Sequence, residues 1–423
     1  MPIRISGSTG ISGLDGSASA PVYAGANTNI GLFVSGNTVN VSATNLSVGN
    51  TVVSNSGVSV GGIAVSQYSG MMKNRIINGD FRIDQRFNGA ANNNIANDQY
   101  VVDRWDMSAG RANNLRLQQN NTNGPGSSAT QTATGFPNYF GANVVTSNTI
   151  NSSDYWQLQQ FVEGLNISDL GWGTANAAPV TLSFWSYSSV AGTHGGSIRN
   201  YNLSRSYPFT YTINTANTWQ YQTITISGET TGTWYTNNSV GIMLGFGLGI
   251  GSTYTISSIN SWYPGNAYPA NAVNIVSNAN GSFYITGVQL EKGSLATPFE
   301  FRHFTTELQL CQRYYEVLPV NTGDADTNYI GQIVVSTLGD MGAKFTVTKR
   351  NSTPTVLLNS ITQVRQGTNN ITPSGGFSIT YTTSGTASIR ATHSGWTPGQ
   401  VVTLIGGSGS PSITISSELS VQN

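Results

Sequence analysis

The groups in this chain that could move protons are few and scattered. Three histidines, His194, His303 and His393, stand far apart, with no His-Glu-x-x-His, His-x-His or triad-like neighbourhood around any of them. His194, beside Gly195, reads as a surface loop residue. Glycoside hydrolysis needs two carboxyls about 5 to 10 Å apart, and among 18 acidic residues Asp80 with Asp84 and Asp103 with Asp106 are nominal pairs. Asp324 and Asp326 have the spacing of calcium-loop oxygens, with Asn328 as a third. The other EF-hand positions and the terminal Glu are missing, which favours a solvated turn. The single cysteine, Cys311, excludes an internal disulfide and a Cys-rich zinc site, and its apolar helical surroundings mark it as a buried small hydrophobe. With no P-loop, dinucleotide fingerprint or basic aromatic platform, the expectation is a protein without cofactor, metal or catalysis.

Aromatic rings are the other chemical resource, with 8 Trp and 19 Tyr in a chain of which 9 % is charged. A sugar offers a flat patch of C–H bonds ringed by hydroxyls, so sugar sites pair an open aromatic face with amide or short hydroxyl side chains. Trp185 with Tyr187, and Trp219 with Tyr221, fall on the polar sides of predicted strands. Trp234 and Tyr235 precede Asn237-Asn238, Trp262 and Tyr263 precede Asn266, and Trp396 follows His393 by three residues. The glycan-binding candidates are therefore Trp185, Tyr187, Trp234, Tyr235, Trp262, Tyr263 and Trp396. For each, the competing reading is core or subunit interface.

These side chains must be held by strands. Helix formers such as Glu, Lys and Arg are scarce while Thr, Val, Ile and aromatics abound, so the class is all-β. Lys and Arg total 18 against 18 Asp and Glu, which leaves no charge field for nucleic acid or an anionic membrane. Met1-Pro2-Ile3-Arg4 begins no signal peptide, and the longest apolar run, Val240 to Ile250, is half Gly and well short of the ~20 residues of a membrane span. A protein folded in a reducing cytosol and released by lysis would have this composition, and so would an ordinary cytosolic protein.

Residues 1–70 are rich in Gly, Ser, Asn, Thr and Val, with short β patterns between the turn signals Gly49-Asn50, Ser56-Gly57 and Gly61-Gly62. Val39, Val41, Leu46, Val48, Val52, Val53, Val58, Val60, Ile63 and Val65 carry the pattern. Such small units gain an apolar partner when copies wind round a common axis, so this zone predicts a thin stem and a homotrimer. In the next stretch Val180, Leu182 and Phe184 alternate with Thr181, Ser183 and Trp185, and Ile224 and Ile226 alternate with polar neighbours, the period of a sandwich. Gly241, Gly245, Gly247 and Gly249 line the face opposite Val240, Ile242, Leu244, Phe246 and Leu248, so another surface can approach that backbone closely. That surface is covering structure of the same domain, a neighbouring subunit or a sugar ring. Residues 305–316 predict a helix, with Thr306 and Gln309 as a capping box and Phe304, Leu308, Cys311 and Tyr315 on one stripe. It docks on the preceding domain or packs with its copies round the fibre axis. Residues 320–423 return to strands, read as a second antiparallel sandwich and the candidate distal tip.

One run of residues resembles a known family. Gly287-Val288-Gln289-Leu290-Glu291-Lys292-Gly293-Ser294, Ala296-Thr297-Pro298-Phe299-Glu300 and Cys311-Gln312-Arg313-Tyr314-Tyr315 resemble the closing segment of a jelly-roll domain in tail fibres of bacteriophages and prophages. About 200 residues earlier, Asn74-Arg75-Ile76-Ile77-Asn78-Gly79-Asp80-Phe81, Asp84-Gln85-Arg86 and Asp103-Arg104-Trp105 match its opening. More loosely, Gly10-Ile11-Ser12-Gly13, Asp15-Gly16-Ser17 and Asn27-Thr28-Asn29-Ile30-Gly31 look like leading segments of fibre proteins from cyanophages and other marine phages.

The resemblance implies a trimeric virion tail fibre with a galactose-binding-like jelly-roll, attached to other tail or baseplate proteins through its N-terminal segment and to host surface polysaccharide without hydrolysis. It supplies no binding residues. The domain expectation is an attachment and stem segment at 1–70, the jelly-roll at 71–302, a connecting helix at 303–319 and the C-terminal sandwich at 320–423. The alternatives are a purely structural virion piece, such as a head fibre, collar or connector, and a polysaccharide-degrading tailspike.

Overall fold

The structure is a computed structural model that describes residues 72–92, 99–110, 115–323 and 326–420, together with the backbone of 45–48, 51–54, 57–60 and 63–65. The last four stretches are β1 (Asn45–Val48), β2 (Thr51–Ser54), β3 (Gly57–Val60) and β4 (Ile63–Val65), an antiparallel meander. Its register sets Leu46, Val53, Val58 and Val65 opposite one another across the four strands. The patterns at Val39 and Val41, and the attachment segment, lie outside the described residues.

The central sandwich is built from β5 (Gln99–Val102), β6 (Trp105–Ala109), β7 (Leu115–Gln119), β8 (Phe140–Val144), β9 (Tyr155–Glu163), β10 (Val180–Ser188), β11 (Gly192–Arg199), β12 (Ser206–Ile213), β13 (Gln220–Ile226) and β14 (Val240–Ile250). The short β15 (Thr255–Ile256) and β16 (Tyr268–Pro269) follow, and β17 (Ser282–Lys292) returns to the sandwich. Strands β13-β10-β17-β8-β7 form one antiparallel sheet and β12-β11-β14-β9-β6-β5 the other. The alternation read in the sequence is the reason they pack. Val180, Leu182 and Phe184 from one sheet and Ile242, Leu244, Phe246 and Leu248 from the other meet in one core with Trp105 and Trp156. Helix α1 (Ser127–Thr134), which no sequence pattern announced, lies between β7 and β8.

The signature segments close this sandwich. Strand β8 pairs with β17 only from Ser282 to Ile285, which leaves the rest of that β17 edge without a neighbouring strand. Residues 74–79 take its place: Arg75 N donates to Leu290 O (2.9 Å) and Val288 N donates to Gly79 O (2.9 Å). Asn74 Oδ1 accepts from Ile76 N (2.9 Å) and Leu290 N (3.0 Å), and its Nδ2 donates to Val288 O (3.0 Å). At Gly79 a Cβ would run into the Val288 carbonyl, so only glycine lets the two backbones approach. Asn78 Nδ2 donates to Ile83 O (2.8 Å) and Asp103 O (3.0 Å), and Trp105 Nε1 donates to Asn78 O (3.2 Å). The recognised residues are thus a buried polar lock.

Helix α2 (Phe304–Gln312) is shorter than the sequence pattern suggested, and His303 caps it instead of Thr306, its Nδ1 accepting from Thr305 N (3.3 Å). The chain leaves the helix early because Tyr314 and Arg313 turn to Glu163: Tyr314 Oη donates to it at 2.5 Å and Arg313 Nη2 at 2.6 Å. Glu307 accepts from Asn78 N (2.5 Å), so the helix docks on the central sandwich. Tyr315 is already in β18 (Tyr315–Pro319), a stretch assigned from sequence to the connecting helix.

The C-terminal sandwich adds β19 (Asp326–Val335), β20 (Leu338–Lys344), β21 (Thr355–Asn359), β22 (Ile361–Gln366), β23 (Asn369–Ile371), β24 (Phe377–Thr382), β25 (Thr386–Thr392), β26 (Val401–Gly406) and β27 (Ser412–Ser416). Strands β18-β27-β21 face the sheet β23-β22-β26-β19-β20-β25-β24 over their own core. Its last described residues return to the first sandwich, where Glu418 pairs with Arg86 (2.8 Å) and Arg104, and Leu419 is buried beside Met243 and Tyr314. Residues 417–419 are thus a seam between the two sandwiches, not part of a far tip.

Candidate functional site

The structure redistributes the sequence candidates. Trp234 is 8 % exposed and Trp262 partly buried. Both pack edge-on against Trp172 (4.7 and 5.3 Å between ring centres), and their Nε1 groups donate to Thr231 O and Ser227 O. Trp396 is 4 % exposed, inside the C-terminal core. Trp234 and Trp396 therefore offer no open face, a correction to the loop reading. The reason is area: a ring of this size contributes more by burying its surface than an Asn-rich loop gains by displaying it. Tyr263 is partly buried on a segment bridged to Ser206. Tyr235, 36 % exposed, leans edge-on against Tyr201 (5.4 Å) at a hollow of about 320 Å³ shared with Arg350 and Leu419.

Trp185 and Tyr187 do share a surface. They lie on the outward face of the five-stranded sheet, Trp185 against Tyr221 (5.4 Å) and Tyr187 against Trp219 (5.4 Å) and Tyr284 (5.7 Å). Tyr284 and Tyr139 are fully buried there, so this is an aromatic layer of which only part is open.

The residues proposed for acid–base work are engaged in structure. Asp80 pairs with Arg82 (2.7 Å), and Asp84 caps Phe87 N and Gly89 N. Asp103 accepts from Gln85 N (2.7 Å) and Gln85 Nε2 (2.6 Å), and burial pushes its carboxyl up to about 7. His194 is buried on β11, not in a surface loop; its Nε2 lies 3.0 Å from Val190 O, and burial lowers its pKa. Asp326 accepts from Asn321 N (2.9 Å) and Asn328 N (3.0 Å), so its oxygens serve a turn; Asp324 lies outside the described residues.

A concavity rich in polar side chains lies on the outward face of the six-stranded sheet. Cross-strand register builds it in rows. Ser197, Gly245, Gln159 and Asp106 stand side by side on β11, β14, β9 and β6, and Gly247, Gln157 and Ser108 form the next row. Glycine along β14 leaves room above the sheet, and the space is used: a Cβ at 245 would meet the Tyr268 hydroxyl and the Gln157 amide. Tyr268 Oη donates to Gln157 Oε1. Arg199 Nη2 donates to Gln157 Oε1 (2.8 Å) and Gln159 Oε1 (3.3 Å), and its Nη1 donates to Asn266 Oδ1 (3.3 Å). Tyr155 and Tyr254 close one end edge to face, 5.7 Å apart. The result is a groove of about 240 Å³. Past Tyr268 and Ile250 it adjoins a second hollow of about 200 Å³ floored by Gly195, Gly247 and Gly249.

Burial raises the Tyr268 hydroxyl, Arg199 opposes the shift and Asp106 adds to it. The hydroxyl therefore stays protonated at neutral pH. Among the described residues, none that lines the groove is Asp or Glu. The two partly exposed rings of Tyr155 and Tyr254, with three carboxamides, a hydroxyl and a guanidinium beside the buried Tyr268, can stack a pyranose and hydrogen-bond its hydroxyls. The sequence reading flagged the glycine face but missed Tyr155, Gln157 and Gln159, whose period-two spacing opposite the buried Trp156 and Leu158 was the available signal.

No family model matches the chain, and no curated protein matches it. Among solved structures, one match is the enzymatically active domain of bacteriophage CBA120 tailspike protein 4, at 12 % identity and TM-score 0.28, over 52 % of this chain and 21 % of that one. A family 11 carbohydrate-binding module from Clostridium thermocellum, in complex with a beta-1,3-1,4-mixed-linked tetrasaccharide, aligns at 12 % identity and TM-score 0.23, over 48 % of this chain and 96 % of that one. The reading of the groove rests on its own residues.

Proposed function

We propose that this chain is a receptor-binding fibre protein of a bacteriophage tail, which attaches the particle to host surface glycan by non-catalytic binding in the tyrosine- and amide-lined groove of the six-stranded sheet. The groove carries the glycan reading: it joins the partly exposed rings of Tyr155 and Tyr254 to Gln157, Gln159, Asn266 and Arg199 beside the buried Tyr268. The fibre reading is supported by the two signature segments, which lie about 200 residues apart in sequence and meet along one edge of β17. In this reading the protein sits in the virion after synthesis in the host cytoplasm. Residues 1–70 hold three copies together and join them to the tail. One shallow site per copy binds a sugar weakly, and three copies on one fibre gain by avidity.

The absence of carboxylates from the groove lining supports binding without hydrolysis. Glycoside cleavage requires an acid and a second carboxylate flanking the bond. Of the nearby acids, Asp106 stands beside Gln159 on the same face and is fully buried, its Oδ2 accepting from Gln159 Nε2 (3.1 Å).

The test is Tyr254→Ala. Tyr254 is partly buried, and its ring edge meets only Tyr155 among the described aromatic pairs, so the fold should tolerate its loss. The expected result is binding to purified host polysaccharide weakened about tenfold or more, as for a contact residue worth over ~1.4 kcal/mol, with an unchanged melting curve. Unaltered binding by this variant and by Tyr155→Ala would place the site elsewhere. Release of reducing ends from the same polysaccharide would replace the binding reading with the depolymerase alternative, and a monomer by light scattering would remove the fibre reading.

A further inference from the structure

Arg199 differs from nine other described arginines. Arg75, Arg82, Arg86, Arg104, Arg205, Arg302, Arg313 and Arg390 each lie against an Asp or Glu carboxylate. Arg350 spends its guanidinium on the backbone carbonyls of Ser417, Asn238 and Glu418. Arg199 is 4 % exposed and lines the groove, yet among the described residues it has no ion pair. Its three hydrogen bonds go to the neutral amide oxygens of Gln157, Gln159 and Asn266, and its Nε has no partner there. A guanidinium carries five N–H donors, so donor capacity remains.

Burying a cation without a counter-charge is costly, and amide dipoles and a ring face offset only part of that cost. The Tyr268 ring lies 5.0 Å from the guanidinium carbon. Asp106 is the nearby acid, and it is held off by Gln159, which donates to Asp106 through Nε2 and accepts from Arg199 through Oε1. The amide carries some negative polarisation to Arg199, but its interposed position leaves the groove side of the guanidinium without an anion.

We infer that the glycan bound here carries a carboxylate, as a uronic acid does, and that Arg199 is the residue that selects it. This rests on the groove being the glycan site. A pyranuronate suits the place because its carboxylate projects from the ring edge while the ring's C–H face stays flat, so one residue stacks on tyrosine and pairs with arginine together. The planar guanidinium matches a planar carboxylate in shape and in donor geometry. The overall neutrality of the chain is compatible with this, because one guanidinium can select a carboxylate at contact without a charged surface around it.

The experiment uses the full-length protein, an array of uronate-bearing and neutral glycans, and host polysaccharide before and after chemical reduction of its carboxyl groups to alcohols. Expected are hits concentrated in uronate-bearing glycans, loss of at least tenfold on carboxyl reduction, and a similar loss for Arg199→Gln. Arg199→Lys, which keeps the charge without the fork, should lose less. Carboxyl reduction needs no variant, so the test survives if Arg199→Gln fails to fold. Equal binding to neutral and carboxyl-reduced glycans would overturn the carboxylate inference while leaving the groove reading intact. Preference for phosphate- or sulfate-bearing glycans that is indifferent to carboxyl reduction would overturn it as well. Failure to bind any glycan or the host polysaccharide would overturn the groove reading itself.

Discussion

Replacing Asn74 by Ala should unfold the central sandwich far more readily than the loss of one amide suggests. Asn74 is 1 % exposed, and its side chain accepts from Ile76 N and Leu290 N and donates to Val288 O. Truncation leaves three buried backbone groups without partners at an edge that no strand covers. At roughly 1–2 kcal/mol for each orphaned group, the loss is about 3–6 kcal/mol, a large share of the ~5–15 kcal/mol typical of a domain. Asn74→Asp keeps both acceptors but sets a carboxylate oxygen against the Val288 carbonyl, close to Glu300, whose Oε2 accepts from Asn74 N (2.8 Å). It should do no better than Ala. Urea unfolding followed by tryptophan fluorescence measures this, with Asn214→Ala as the control, since that side chain is exposed and should change stability by less than about 0.5 kcal/mol. A loss below about 1 kcal/mol for Asn74→Ala, or full rescue by Asp, would refute the argument that the signature exists to complete the sheet edge.

Three further outcomes follow from buried groups. Asp103 has its carboxyl raised from 3.8 to about 7 by burial, so the native state holds its proton more tightly than the unfolded chain; stability from this group is fully present below about 4 and is lost as pH rises through about 7. The melting temperature of Asp103→Asn relative to the parent should therefore increase across that window, and a flat or falling difference would reverse the sign. Lys349 and Glu316 form a fully buried pair at 2.5 Å, so Lys349→Met should cost about 3–5 kcal/mol by stranding a carboxylate, while Lys349→Met with Glu316→Leu should recover much of it in denaturant titrations. Cys311 is buried and burial raises its thiol pKa, so a thiol reagent at neutral pH should label it only after denaturant is added; rapid labelling of the native protein would show an open path to the helix.

Much of the architecture was legible along the chain because strand alternation reports which residues share a face. Val180, Leu182 and Phe184, and the run from Val240 to Leu248, went to the core as the period-two pattern required. The Asn74 to Phe81 run marked the closing edge through its resemblance to a known opening segment, and the structure supplies the reason at Gly79, where a Cβ would meet the Val288 carbonyl. Helix α2 was visible, but its end was not. Its last turn was given up to the Arg313 and Tyr314 contacts with Glu163, a residue about 150 positions away.

The sequence by itself determined the class, the alternating faces, the charge-poor surface and the stock of rings and amides from which a sugar site can be made. Which rings stay open was decided by tertiary structure. Alternation tells inside from outside of a strand, yet it does not say whether the outward face is covered. Trp234 was enclosed against Trp172, while Tyr155 and Tyr254 were left partly exposed along a groove. That groove joins side chains from Ser108 to Tyr268 through the register of β6, β9, β11 and β14. Arg199 looks unremarkable in sequence. Only the fold places it where every neighbour it bonds is a neutral amide, and so gives its charge a role.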